Sequence, residues 1–264
     1  MKAQYIGGNI SRCRPKHLAT RAVGWGLQVL IAAAAATASS AAIAGFERCL
    51  EFFPHRAIPE LPAGFPLKTR ELCFSDFAIL YSGDSKTPVY AVERLNKQHL
   101  ARKVKRKDKF YEEARLPSRE RSTLADYQAT YDGQRMDRGH VVSAADQWTQ
   151  QGMAQSFSLA NVVPQVPSFN KGAWNRVEQD TRKYVMRADG DVFVFTGVVF
   201  DRPPRHLGLG QVWVPDYMFK LIYDPTRGRA WAHWLPNEEG GRVQRPISYD
   251  ELLKRTGIRF VEVS

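Results

Sequence analysis

Residues 136–186 read MDRGHVVSAADQWTQQGMAQSFSLANVVPQVPSFNKGAWNRVEQDTRKYVM, and this stretch decides the fold. A short basic turn, Asp137-Arg138-Gly139-His140, opens it. A polar segment follows, Asn161-Val162-Val163-Pro164-Gln165. A helix is expected to begin at Asn170 and to run through Trp174 and Glu178, which lie four residues apart and so share a face. Strand, loop and helix thus deliver an imidazole, an amide and a carboxylate in sequence order.

Outward from this stretch the chain reads as strands. Phe77-Ala78-Ile79-Leu80-Tyr81 and Pro88 to Arg94 flank a Ser82-Gly83-Asp84-Ser85-Lys86 turn and form a hairpin. Asp191 to Phe200 is a nearly continuous β-branched and aromatic run, the pattern of a buried strand. Val212-Trp213-Val214 and Tyr217 to Tyr223 are expected to pair, with Pro215 at the break between them. Asp224-Pro225-Thr226-Arg227-Gly228 is a turn, and Ala230 to Trp234 is a further strand. Ser248 and Glu251 have capping-box spacing for a final helix. These elements read as a mixed α/β fold. No internal repeat or linker divides residues 45–264, so one domain is expected there.

Of the 264 residues, 44% are apolar and 25% charged, which is ordinary for a globular chain. The formal net charge is +11. Residues 1–44 hold five basic residues and no acid, so 33 basic against 27 acidic residues leave +6 on the remainder. That balance favours anionic partners. Residues 95–121 concentrate it: Arg102, Lys103, Lys105, Arg106, Lys107 and Lys109 crowd together beside Phe110 and Tyr111. Such a run is either a solvated loop or a phosphate-binding arm. Beside the central stretch, the second reading is preferred.

Residues 1–44 have a basic start, an apolar centre and a small-x-small end at Ala42-Ile43-Ala44. This is the layout of a secretory signal cleaved after Ala44, with an uncleaved membrane anchor as the competing reading. The destination is then secreted or periplasmic. Residues 45–75 are Pro-rich and are expected to wrap the domain as an extended arm. His55 in this arm has no partner motif and is read as structural. Cys49 and Cys73 are an even pair in an exported chain, so either a disulfide or two buried thiols is expected, and neither is spaced for zinc.

In-line phosphodiester cleavage needs a base, a cation against the phosphoryl oxygens, and positive groups that hold the backbone. His140 suits the base, because neutral imidazole is available near neutral pH. Gly139 before it is expected to permit a backbone conformation that presents the ring. Asn170 suits a metal: an amide oxygen is a hard ligand, and Mg²⁺ keeps several of its own waters. Glu178 could accept hydrogen bonds from those waters. Taken singly, Asn170 is equally a helix N-cap and Glu178 a solvated carboxylate.

The three blocks together resemble the DNA/RNA non-specific endonuclease family of ββα-metal (His-Me finger) nucleases. The residues that carry the resemblance are Asp137 to His140, Leu159 to Gln165 and Phe169 to Glu178. It extends more loosely from about Ser82 to the C-terminus, through Val214-Pro215, Phe219-Lys220 and the stretch from Tyr249 to Phe260. The resemblance implies an α+β fold, a mixed and mainly antiparallel central sheet flanked by helices with a ββα-metal active site, and one Mg²⁺, with Mn²⁺ as a substitute, held directly by Asn170 alone. It implies that His140 activates water, Glu178 orients metal-bound waters, and Arg138 contacts phosphate or stabilises the transition state. Arg106 is the matching upstream phosphate clamp. Asn161 and Gln165 line the site, and Asp137 stabilises the turn. DNA and RNA are the implied partners, cut without sequence preference to leave 5′-phosphates, and a homodimer is open by analogy. No inhibitor is read from the sequence. The competing readings are a non-catalytic nucleic-acid or envelope-binding protein on the same fold, and a phosphodiesterase of small esters.

Overall fold

The computed structural model describes residues 45–262 with the exception of Arg202, so the leader and its cleavage point lie outside the described residues. In chain order the strands and helices are β1 (Thr69–Cys73), β2 (Ala78–Ser82), β3 (Thr87–Leu95), α1 (Lys97–Ala101), β4 (Thr130–Tyr131), β5 (Gln134–Arg135) and β6 (Asp137–His140). Then come α2 (Gln150–Ser156), β7 (Val162–Gln165), α3 (Pro167–Phe169), a π-helical turn (Asn170–Trp174) and α4 (Asn175–Val185). The remainder is β8 (Val192–Val199), β9 (Arg205–Leu207), β10 (Val212–Val214), β11 (Tyr217–Asp224), β12 (Arg229–Pro236), β13 (Ile247–Ser248) and α5 (Tyr249–Thr256).

Seven strands form one sheet in the order β1-β2-β3-β8-β11-β12-β13, and every neighbouring pair is antiparallel. Alternation along the strands gives the sheet two apolar faces. On β8, Phe193 and Phe195 point to one face while Val194 and Val198 point to the other. The first face is covered by Phe46, Phe52 and Phe53 of the arm and by Leu252, Ile258 and Phe260 around α5. The second is covered by Phe169, Trp174 and Val177 of the helical segment and by Val141, Val142 and Val163.

The arm is held by more than packing. It is built of three short 3-10 turns, Phe46–Arg48, Leu50–Phe52 and Pro54–Arg56, and then joins the sheet edge as β1. A disulfide joins Cys49 to Cys73, between the arm and β1. The expected extended arm is therefore compact near its start, and its last residues are a strand. The α5 cap is as anticipated: Ser248 Oγ accepts from Glu251 N at 3.2 Å. Left-handed Gly257 (φ 69°) closes the helix.

One pairing differs from expectation. β10 pairs with β9 in a separate ribbon, whereas β11 pairs with β8 and β12. Pro215 and Asp216 separate the two strands, and Arg205 of β9 bonds back to that break: it donates to the Pro215 carbonyl at 3.3 Å and pairs with Asp216 at 3.0 Å. Among the described residues no helix is long and apolar enough to cross a membrane.

The disulfide closes a separation of 24 residues, so the loop-entropy argument gives it about 3 kcal/mol. It lies against the sheet face opposite the ββα segment. Replacing both cysteines by alanine should lower unfolding free energy in urea by about that amount. The ββα segment should keep its native packing, because it covers the other face of the sheet.

Candidate active site

β6 and β7 pair antiparallel with His140 opposite Val162 and Asp137 opposite Gln165. The helical segment follows directly, and its backbone stays right-handed helical from Phe169 through the π turn into α4. This is a strand–strand–helix unit. The helix begins at Pro167, the residue type suited to a first turn, three residues before the expected start at Asn170. Asn170 is therefore inside the helix rather than at its N-cap. It opens a π turn, the irregularity that proteins use to re-aim a side chain.

Asp137 fixes that side chain. Asn170 Nδ2 donates to Asp137 Oδ2 at 3.0 Å, and Lys171 Nζ pairs with the same carboxylate at 3.2 Å. With its amide nitrogen engaged, Asn170 has its oxygen free to act as an acceptor. Asp137 therefore orients Asn170 as well as closing the turn.

A cavity of about 230 Å³ opens on the unit, lined by Arg106, His140, Ser143, Ala144, Asn170, Lys171, Asn175 and Glu178. Four of the sequence candidates meet here: Arg106, His140, Asn170 and Glu178. The His140 ring packs edge-on against Phe157 with centroids 4.9 Å apart and lies 5.3 Å from Phe110. Its Nε2 is buried without a protein hydrogen bond, so the ring is not a satisfied structural histidine. Burial, and then the positive charges of Arg106 and Arg138, push its pKa down to about 4. Burial pushes the Glu178 carboxyl up to about 7, with Lys220 and Arg182 opposing and Asp146 reinforcing the shift.

Both arginine candidates lean on the same aromatic pair. Arg106 sits 5.4 Å from the Phe157 ring and also pairs with Asp108 at 2.5 Å. Arg138 is exposed beside the cavity, its guanidinium 4.3 Å from the Phe110 ring. The end of the basic arm is tied down by backbone bonds: Tyr111 N donates to the Phe157 carbonyl at 3.2 Å and Leu159 N to the Tyr111 carbonyl at 2.8 Å.

Asn161 and Gln165, expected to line the site, are fully buried behind it. Asn161 accepts from Val142 N and donates to the Val142 and Ser156 carbonyls, each at 2.9 Å. It clamps backbone that has no strand partner. Gln165 donates to Met218 Sδ. Gly139 also differs from expectation, because its φ is not positive. Its requirement is space, since a Cβ there would lie 1.8 Å from Gln165 Oε1.

The sequence reading missed the groups behind Glu178. Arg182 donates to Asp146 at 2.9 Å and to Ser143 Oγ at 3.4 Å. Lys220 and Glu93 are 1% and 0% exposed beneath the helix. A signal existed: both are charged residues at the inward phase of an otherwise apolar strand.

The residues present suit one hard divalent cation. Among the described residues no three His, Cys, Asp or Glu side chains cluster as a metal cage. An oriented amide oxygen with a carboxylate one wall away fits an ion that keeps most of its waters. Oxygen donor, imidazole and basic rim together define a metal-dependent phosphodiesterase class of site.

Comparison agrees with that class. The family model described as DNA/RNA non-specific endonuclease matches residues 60–263. The chain is 32% identical over 222 residues to "Endonuclease G, mitochondrial" of Homo sapiens, covering 76% of this chain and 71% of that protein. It is 37% identical over 144 residues to "Nuclease C1" of Cunninghamella echinulata var. echinulata, covering 49% and 55%. It is also 29% identical to "Nuclease EXOG, mitochondrial" of Homo sapiens, of whose length it spans 58%. A crystal structure of the EndoG/EndoGI complex superposes with a TM-score of 0.65 at 23% identity over 75% of this chain, a likeness of fold. This chain belongs to the DNA/RNA non-specific endonuclease family, whose members are metal-dependent nucleases acting on nucleic acid.

With a pKa of about 4, His140 stays neutral between pH 8 and pH 5, whereas Glu178 takes up a proton as pH falls through about 7. A divalent ion bound beside Glu178 would compete with that proton. The acid limb of the pH–rate profile should move to lower pH as metal concentration rises. Profiles at two metal concentrations check this, and a limb that ignores metal would assign it to a different group.

Proposed function

We propose that this chain is an exported, Mg²⁺-dependent endonuclease that hydrolyses DNA and RNA without sequence preference and leaves 5′-phosphates. The observation that carries the reading is the convergence of His140, Asn170, Glu178 and Arg106 on one cavity. When bound, the ion supplies charge neutralisation at the phosphoryl and leaving oxygens. Asn170 holds it through the oxygen that Asp137 leaves free. Glu178 would accept hydrogen bonds from its waters and so orient them.

His140 takes a proton from the attacking water as the new P–O bond forms. The bond from phosphorus to the 3′-oxygen breaks in the same in-line step. The leaving oxygen acquires a proton from solvent, giving a 3′-hydroxyl and a 5′-phosphate. The depressed pKa keeps the imidazole neutral and ready to accept a proton at working pH, at a cost in basicity. Arg106 and Arg138 hold the flanking phosphates, and their aromatic supports fix the two guanidinium groups without consuming their hydrogen-bond donors. Phosphate contacts carry no base information, which suits a nuclease without sequence preference.

Plasmid DNA and RNA incubated with residues 45–264 and Mg²⁺ should both be degraded. Chelator should stop the reaction, and His140→Ala should lower kcat by at least about 10²-fold. A folded wild-type protein that binds DNA but cuts nothing would instead support the non-catalytic reading.

Export is supported by the basic, then apolar, then small-residue pattern of residues 1–44 and by the Cys49–Cys73 bridge, which belongs in an oxidising compartment. The full chain expressed with a working secretion system should yield a mature protein whose first residue is Gly45. N-terminal sequencing reads this directly, and an intact Met1 in the membrane fraction would select the anchored form.

A further inference from the structure

The sheet beneath α4 is apolar except for one polar row. Thr196 lies opposite Lys220 across β8 and β11, and Lys220 lies opposite His233 across β11 and β12. Ala91 lies opposite Thr196, which puts Glu93, two residues along β3, on the same face. Glu93, Thr196, Lys220 and His233 therefore cross four strands on the side that carries the active-site helix.

This row is costly. Burying an ammonium or a carboxylate costs several kcal/mol per ion unless partners compensate. Lys220 is 1% exposed, and its ammonium donates to Thr196 Oγ1 at 2.6 Å and lies 5.5 Å from the Trp174 ring. An ammonium has three donors, so one hydroxyl and one ring leave it under-compensated. The neighbouring charges are Glu93, Glu178, Asp146 and Arg182. Asp146 is already paired with Arg182. Glu93 is wholly buried with neither carboxyl oxygen hydrogen-bonded by protein, and its pKa is driven well above the ordinary value, first by burial. Of the carboxylates near Lys220, Glu178 is the one that also lines the cavity.

The helix geometry agrees. Trp174 and Glu178 are four residues apart and present the same face. An ammonium under the Trp174 ring is therefore under the start of α4, one turn from the Glu178 carboxylate.

We propose that Lys220 is a positioning residue for the nuclease reaction: a buried ammonium in the sheet floor that holds the Glu178 carboxylate toward the cavity. The proposal rests on the reading of Glu178 given above. It explains why an otherwise apolar sheet face keeps a lysine where methionine would pack at lower cost. Ser143 hydrogen-bonds the Glu178 carboxyl, and the charges of Lys220 and Arg182 favour its anionic form.

The test is a double-mutant cycle with two readouts. Lys220→Met should lower kcat at least tenfold, while KM for plasmid DNA and the salt dependence of binding stay within twofold. Calorimetric Mn²⁺ affinity of the metal-free protein should fall about tenfold, the usual cost of losing an orienting group behind a metal site. In a Glu178→Ala background the same substitution should change neither quantity by more than twofold. Equal losses in both backgrounds would make Lys220 a packing residue and overturn the proposal, as would an unaffected Lys220→Met. Should Lys220→Met fail to fold, Thr196→Val removes only the hydroxyl that seats the ammonium, and the same cycle with Glu178→Ala is read. A wild type that binds Mn²⁺ but cuts no polymer would refute the nuclease reading alone, because the Mn²⁺ cycle still decides whether Lys220 acts through Glu178.

Discussion

Everything at this site depends on the contact between β6 and β7 at Gly139. The Gln165 side chain fills the space that a side chain at 139 would occupy, so only glycine leaves it room. In the register of the two strands His140 faces Val162 and Asp137 faces Gln165. With Asp137 so placed, its carboxylate reaches Asn170 on the helix that follows. One absent Cβ thus helps tie the strand that bears the imidazole to the helix that bears Asn170. Propensity does not select glycine here, since its φ is not positive; close packing does.

The rest of the molecule supplies a rigid floor and keeps water away from the wrong side. The seven-stranded sheet is apolar on both faces, so it must be covered twice. The ββα unit covers one face and the disulfide-tied arm with α5 covers the other. That division separates stability from chemistry: the arm contributes burial and a covalent tie far from the cavity, and nothing in it touches the substrate side. The basic arm of residues 102–109 is fastened differently. Phe110 and Phe157 receive its last turn, support both arginines and enclose the His140 ring. The same two rings that desolvate the imidazole also hold the cations that oppose its protonation, so burial and charge lower its pKa together.

Much of this was legible in the sequence, for identifiable reasons. A strand buried on both faces has little choice but a continuous apolar run, so β8 was visible. A helix with Ser248 and Glu251 at capping spacing declares its own start. His140, Asn170 and Glu178 were visible as a spaced set rather than singly, because each alone has an ordinary structural use. What was not legible is partner choice. Val212-Trp213-Val214 reads as a strand, but nothing local says that it pairs with β9 rather than β11. Asn161 and Gln165 misled for a related reason. A polar side chain beside a reactive motif looks functional, yet a tight loop also leaves backbone groups that need a buried partner. Sequence gives the need for polarity and does not say which of the two needs it meets.

Lys220 shows how phase resolves such cases. In Tyr217-Met218-Phe219-Lys220-Leu221-Ile222-Tyr223, alternation puts Lys220 in step with Met218 and Ile222. Both are buried on the helix side, so a solvated lysine is excluded by register alone. Glu93 fails the same test on β3, in step with Ala91 and Leu95. A strand that keeps a charge at its inward phase bears a desolvation cost that apolar packing would avoid, and folding alone does not require it. Among the described residues, the acidic helix residue that lies over that row and also lines the cavity is Glu178. The phase of two strand residues therefore marks the floor beneath the carboxylate that the motif picks out from the other side of the helix.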